Sequence, residues 1–133
     1  METTGGVVVR GKGFGETLGF PTANIQLDPD SERPADGIYA CWVTIGEWAV
    51  PSDGRASPKR WAGALHVGPR PAIGDPTPTI EVHLLDFDGR EIYGQRLELE
   101  VVARLRDVQN FATTADLAAA IARDCAAARK LLT

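Results

Sequence analysis

Thr79-Ile-Glu-Val-His-Leu-Leu-Asp-Phe-Asp-Gly89 is the stretch that sets the class of fold. Side chains alternate along an extended chain, so Ile80, Val82 and Leu84 fall on one face of residues 79–87 and Glu81, His83 and Leu85 on the other. Asp88-Gly89 tolerates the positive φ of a two-residue hairpin turn, and the chain returns through Glu91, Ile92, Tyr93 and Gly94. Leu97, Leu99, Val101, Ala103 and Leu105 then alternate with Arg96, Glu98, Glu100, Val102 and Arg104, as in a strand with one wet face. The reading is antiparallel β, with the two faces of the first strand serving different purposes.

Working outward, residues 7–9 form a short β-branched run. Residues 37–46 (GIYACWVTIG) and 60–68 (RWAGALHVG) carry apolar and aromatic residues between turn signals. Pro51, Asp53-Gly54 and Pro58 mark residues 47–59 as an exposed hairpin connection. Tyr39, Trp42, Trp48, Trp61 and Tyr93 are assigned to packing. From Thr114 the period changes: Leu117, Ala120, Ile121, Cys125, Ala128 and Leu131 recur at helical spacing, preceded by a Thr113/Asp116 cap in which Asp replaces the longer Glu or Gln. Consecutive antiparallel strands, no βαβ repeat and one terminal helix predict a mainly β fold, a small Greek-key barrel closed by a helix. A length of 133 residues suits a single domain over 1–133.

With 44% hydrophobic and 24% charged residues, the composition excludes intrinsic disorder and collagen-like repetition. The 14 Lys and Arg against 18 Asp and Glu leave a net charge of −4, so no general attraction to nucleic acid or an anionic membrane is expected. Any bound phosphate must be held by local chemistry. The longest apolar run, 38–45, is far shorter than the roughly 20 residues of a membrane-crossing helix. The N-terminus has neither the basic start nor the apolar centre of a signal peptide, which makes the cytoplasm the expected location. Cys41 and Cys125 stand far apart without a CxxC or a Cys/His cluster; both are expected as buried reduced thiols, not as a disulfide or zinc ligands.

Gly11, Gly13, Gly15 and Gly19 would let backbone N–H groups approach an anion, although by themselves they are better explained by a plain turn, and they match neither a Walker A nor a Rossmann pattern. Pro21 biases Phe20 to an extended conformation. If the extension continues, Thr22 and Asn24 point the same way and offer two neutral oxygens, suited to Mg²⁺ and phosphate. A Pro-Thr turn with Asn24 capping its own backbone accounts for the same residues. Glu81, taken alone, reads as a solvated strand residue. Asp88 is explained by the turn and Asp86 has no identified partner, so neither is given a catalytic role.

Taken together and in order, several blocks resemble the riboflavin kinase (flavokinase) family, including the kinase module of bifunctional FAD synthetases. They are the glycine segment 11–19 running into LGFPTANI, then GIYACWV, Gly68-Pro-Arg-Pro71, EVHLLDFDGREIYG and the terminal helix over 111–129. The resemblance implies a six-stranded antiparallel Greek-key barrel with a C-terminal α-helix. It implies that Gly11, Lys12, Gly13, Gly15 and Gly19 belong to a nucleotide-covering loop, that Thr22 and Asn24 contact Mg²⁺ and the ATP phosphates, and that Glu81 is the catalytic carboxylate. More loosely, Leu85, Phe87, Arg106 and Phe111 fall in the family's flavin region. His83 shares the face of Glu81, which leaves two readings, a residue lining the cleft and, preferred, a partly exposed structural histidine. The implied reaction is ATP- and Mg²⁺-dependent phosphorylation of the ribityl 5′-hydroxyl of riboflavin to give FMN and ADP. Glu81 would accept the proton as that oxygen attacks the γ-phosphate. The expected partners are riboflavin/FMN and ATP/ADP, with no nucleic acid, no membrane and a monomeric state.

The sequence departs from the family pattern at Glu16 in the GRxLGFPTAN block, His66-Val67-Gly68 in place of NIG, Ala72 in place of the Thr of RPT, and Val108 and Asn110 before Phe111. These positions surround ligands, which keeps a divergent flavin- or nucleotide-binding module without turnover as the alternative. A flavin reductase on a related barrel leaves PTAN and Glu81 without a role in hydride transfer. With no adenylyltransferase module ahead of the first block, the expected product is FMN and not FAD, from a stand-alone kinase or an excised domain.

Overall fold

The computed structural model describes residues 2–9, 22–45, 60–70, 75–87, 92–109 and 111–132. Within these, β1 (Glu2–Val9), β2 (Thr22–Leu27), β3 (Gly37–Ile45), β4 (Arg60–Arg70), β5 (Asp75–Leu84) and β6 (Arg96–Arg106) precede one helix, α1 (Thr114–Leu131). The strands close into a barrel in the order β1-β2-β5-β4-β3-β6, every pairing antiparallel and β6 returning to β1. The expected mainly β, six-stranded Greek-key barrel with a C-terminal helix is the fold observed. Residues 47–59, Trp48 and the Asp88-Gly89 turn lie outside the described residues.

Alternation explains the interior. Val8, Ile25, Val43, Leu65, Val67, Val82, Leu84, Leu97, Leu99 and Val101 point inward and form one buried cluster, against which Ile80, Trp61 and Phe87 pack. A second cluster lies outside the barrel wall, where Ala40, Ala64 and Leu85 meet Ala128 and Leu132, flanked by Trp42, Ala62, Leu105 and Cys125. The three alanines of β3 and β4 present so little bulk that α1 can rest directly on the sheet. The helix starts as expected: the Thr113 hydroxyl accepts the Asp116 backbone N–H at 3.0 Å. Arg129 and Lys130 complement the dipole in its last turn.

Three strand readings are corrected. β1 begins ahead of residues 7–9 and takes in Gly5 and Gly6. β5 starts at Asp75, ahead of residue 79, and stops at Leu84, short of Phe87. Pro76 and Pro78, which have no N–H to donate, fall where the register of β5 against β4 shifts, between the Gly68–Thr79 and Arg70–Asp75 pairs. After Leu84 the chain turns through Asp86, whose φ of 57° is left-handed, and this sends Leu85 beneath α1 while Phe87 meets Trp61 edge to face at 4.9 Å. In β6 the expected single wet face does not run the whole length. Cys41 pairs with Val101 but Ala40 with Ala103, and Tyr39 pairs with Arg104 but Ile38 with Arg106, so β6 carries an extra residue at Val102 and again at Leu105. Leu105 consequently joins the cluster under α1, not the barrel interior.

Burial pushes the Cys41 thiol up to about 12, and it stays a free, inert core residue. Cys125 is also free but only half-buried, less enclosed than expected, with its thiol raised to about 11 chiefly by desolvation. Among the described residues no helix is long and apolar enough to cross a membrane.

Asp28 and Arg96 tie the end of β2 to the start of β6, with Nη1 donating to Oδ1 at 3.0 Å and Nη2 donating to Oδ2. The guanidinium hydrogen bonds hold the Asp28 carboxyl below its ordinary value of 3.8. A depressed folded value means that the pair's contribution is fully present above 3.8 and is lost as pH falls through the lower folded value. Urea unfolding followed from neutral into acid pH is expected to show a drop that Asp28→Asn, already lacking the charge, does not share.

Candidate active site

The register assembles a polar patch on the outer wall of β2, β5 and β4. Thr22 stands opposite His83 and Asn24 opposite Glu81 across β2 and β5, while Glu81 stands opposite His66 and His83 opposite Ala64 across β5 and β4. Ala23, Val82 and Leu65, the intervening residues, belong to the interior cluster. Directly opposed residues keep their Cβ atoms about 4.5–5.5 Å apart. Thr22 and Asn24 therefore share a face, as the extended alternative required, and that face is the one carrying Glu81. The row holding Asn24, Glu81 and His66 continues through Ile38 of β3 to Arg106 of β6.

Although this wall faces away from the barrel interior, Glu81 is only 3% exposed and His83 only 7%. The readings of Glu81 as solvated and His83 as partly exposed are both corrected. Oγ1 of Thr22 lies 2.9 Å from Nδ1 of His83, so the ring and the hydroxyl orient one another, the proton lying on one or the other according to the tautomer. The chain contains two histidines, and both flank Glu81. A carboxylate shielded from bulk water beside two imidazoles and a carboxamide is placed to take up a proton from a group brought against it.

The four flavin-region candidates do not share one surface. Leu85 is buried under α1, and Phe87 packs on Trp61 at the barrel core. Arg106 and Phe111 do meet, the guanidinium carbon lying 5.6 Å from the ring centroid. Arg106 is otherwise engaged by its neighbours: Nε donates to Oδ1 of Asp124 at 2.8 Å, Nη2 to Oδ2 at 2.7 Å, and Nη1 to the carbonyl of Asp107 at 3.0 Å. Sequence reasoning missed Asp124. Its signal was a carboxylate on the apolar stripe of α1, in register with Ala120, Ile121 and Ala128. It also left Asp86 without a partner, whereas Arg129 of α1 donates to Asp86 Oδ1 at 3.0 Å.

Gly11, Lys12, Gly13, Gly15, Gly19 and Glu16 lie outside the described residues. Among the described residues, no group of three or more His, Cys, Asp or Glu side chains is disposed to hold a metal ion. The donor chemistry at Thr22 and Asn24 is of another kind, two neutral oxygens that fit a hard cation such as Mg²⁺, which retains water and substrate-phosphate oxygens in most of its coordination sphere.

Residues 2–132 match the profile of the Flavokinase family, riboflavin kinase. The chain is 39% identical over 127 residues to a bifunctional riboflavin kinase/FMN adenylyltransferase of Pseudomonas fluorescens, a match covering 95% of this chain and 37% of that protein. It is 29% identical to the RNA-binding riboflavin kinase RibR of Bacillus subtilis, covering 98% of this chain and 51% of the relative. The chain thus spans between about a third and a half of the length of these two relatives. A crystal structure of riboflavin kinase from Trypanosoma brucei superimposes with a TM-score of 0.68 at 28% identity, covering 99% of this chain and 81% of that one. Fold, motif order and profile agree: this chain belongs to the riboflavin kinase (flavokinase) family.

Proposed function

We propose that this chain is a single riboflavin kinase domain that transfers the γ-phosphoryl group of ATP, with Mg²⁺, to the ribityl 5′-hydroxyl of riboflavin, giving FMN and ADP. The observation that carries this reading is the placement of Glu81, shielded from solvent and directly across the sheet from Asn24. Glu81 orients the 5′-hydroxyl and takes its proton as the oxygen attacks phosphorus. Thr22 and Asn24 hold the metal and the phosphates, with His83 fixing the Thr22 hydroxyl. Mg²⁺, when bound, offsets the charge of the transferring group. The glycine segment with Lys12 covers the nucleotide.

The acidic net charge of −4 supports neither a nucleic-acid nor a membrane partner. The RNA-binding relative has about half its length outside the match, so that property is not carried over. Closure of the six described strands into one barrel supports a monomer, and the location proposed for it is the cytoplasm.

Purified protein incubated with riboflavin, ATP and Mg²⁺ is expected to yield FMN on chromatography, and chelation of the metal is expected to stop it. Flavin binding without FMN under any triphosphate and metal would replace the kinase with the binding-module reading. Asn24→Ala is expected to raise the Mg·ATP concentration needed for half-maximal rate by about 10-fold or more, with the KM for riboflavin little moved.

A further inference from the structure

Asp124 is a buried carboxylate that the phosphoryl transfer proposed above does not use. It stands on the inner face of α1 between Ile121 and Ala128, and both its oxygens are taken by one guanidinium, that of Arg106. The same guanidinium donates to the Asp107 carbonyl and lies over the Phe111 ring. One planar group therefore joins the end of β6, the first residue of the connection after it, the aromatic ring that leads into α1, and the helix itself. Asp124 is what keeps the plane in place, because a bidentate carboxylate fixes both the position and the tilt of a guanidinium. Arg106 also occupies the row that carries Glu81, three strand spacings away through His66 and Ile38, or about 14 Å around the barrel wall. A flavin ring with its ribityl chain extended spans such a distance.

We propose that Asp124 is a positioning residue for the flavin: by clamping Arg106 it fixes Phe111 and the segment 107–109 as the wall for the isoalloxazine ring, and Arg106 acts through this clamp and not by binding the flavin itself. The proposal rests on the riboflavin kinase reading and deepens it. Because Arg106 and Asp124 work as one unit, removing either has the effect of removing both.

Asp124→Asn, Arg106→Gln and the double variant test this, with riboflavin and FMN binding read by flavin fluorescence and FMN formation read by chromatography. Each single variant is expected to weaken flavin binding and raise the riboflavin KM by about 10-fold, the double variant no further, and Asp124→Asn is expected to leave kcat and the KM for ATP within about 2-fold. Backbone amides of 107–109 and Phe111 are expected to exchange hydrogen faster in the variants, and Asp124→Glu, which keeps the carboxylate, to recover part of the affinity. A purely structural role would lower the folded fraction and the apparent kcat with KM unmoved, and that result overturns the proposal. So does an Arg106→Gln defect not shared by a folded Asp124→Asn, which would make Arg106 a direct flavin contact. Should Asp124→Asn fail to fold, Asp124→Glu with wild-type flavin affinity and unchanged exchange together with a weakened Arg106→Gln overturns it equally, and a shared, graded weakening supports it. Wild-type protein that binds flavin without forming FMN removes the kinase reading alone, the binding arm still judging the clamp. Wild-type protein that binds neither flavin overturns both.

Discussion

Glu81→Gln is expected to lower the rate of FMN formation by about 10³-fold while leaving the barrel and flavin binding nearly intact. The substitution changes almost no volume, so the packing around a side chain only 3% exposed is preserved. What it removes is the ability to accept a proton, since a carboxamide oxygen is a very weak base. The hydrogen-bonding capacity towards Asn24 and His66, which face Glu81 from β2 and β4, is largely retained. Circular dichroism and riboflavin binding matching wild type, with turnover nearly gone, is the anticipated pattern. Undiminished turnover would take proton acceptance away from Glu81 and turn attention to His66 and His83, the two imidazoles beside it.

The largest effect expected on stability comes from Gly6→Ala. Gly6 lies inside β1, paired with Leu27 of β2 on one side and Leu97 of β6 on the other. A methyl group there would collide with the Gln26 carbonyl oxygen and come within 2.9 Å of Ile25 Cγ2. The obstructing atoms include backbone, so the added carbon is accommodated by prying β1 from β2, not by a rotamer change. A cost of about 3 kcal/mol or more, lowering Tm by about 10 °C, follows for a domain of this size. Thermal unfolding of the variant beside Gly5→Ala, whose added methyl would have 3.2 Å to its nearest neighbours, checks it. Equal Tm values for wild type and Gly6→Ala would show that β1 and β2 are not closely apposed at this position.

Gly6 also shows where local reading stops. Glycine is a poor strand former, so Gly5-Gly6 carries no strand signal of its own; only the neighbouring strand explains why no larger residue fits. The alternation of β5 and β6 and the helical period of α1 were legible because each is a property of a few consecutive residues. The extra residues at Val102 and Leu105 were not, since they answer to the partner strand β3 and leave no mark in β6 itself. The same division runs through the site. That Thr22 and Asn24 share a face was legible from their spacing once the chain is extended. That His83, 61 residues away from Thr22, holds its hydroxyl depends on strand order. Burial of Glu81 was misjudged because alternation tells which face a side chain takes, not what covers that face. That Arg106 meets Asp124 and Phe111 was not legible, because the first contact is set by how α1 lies on the barrel and the second by the path between them.

Closure of the barrel through β1 and β6 has a consequence for how the chain is made. Glu2 pairs with Val101, so β1 finds its second neighbour only when β6, the last strand of the barrel, has been synthesised. At roughly 5–20 residues per second, one side of β1 waits on the order of 5–20 s with its N–H and C=O groups unpaired. During that interval β3 is likewise missing its β6 neighbour, although it can already pair with β4. The nascent chain thus carries two open sheet edges that the finished barrel conceals from each other. Both edges are closed by one strand, β6, so its arrival completes the barrel on two sides at once.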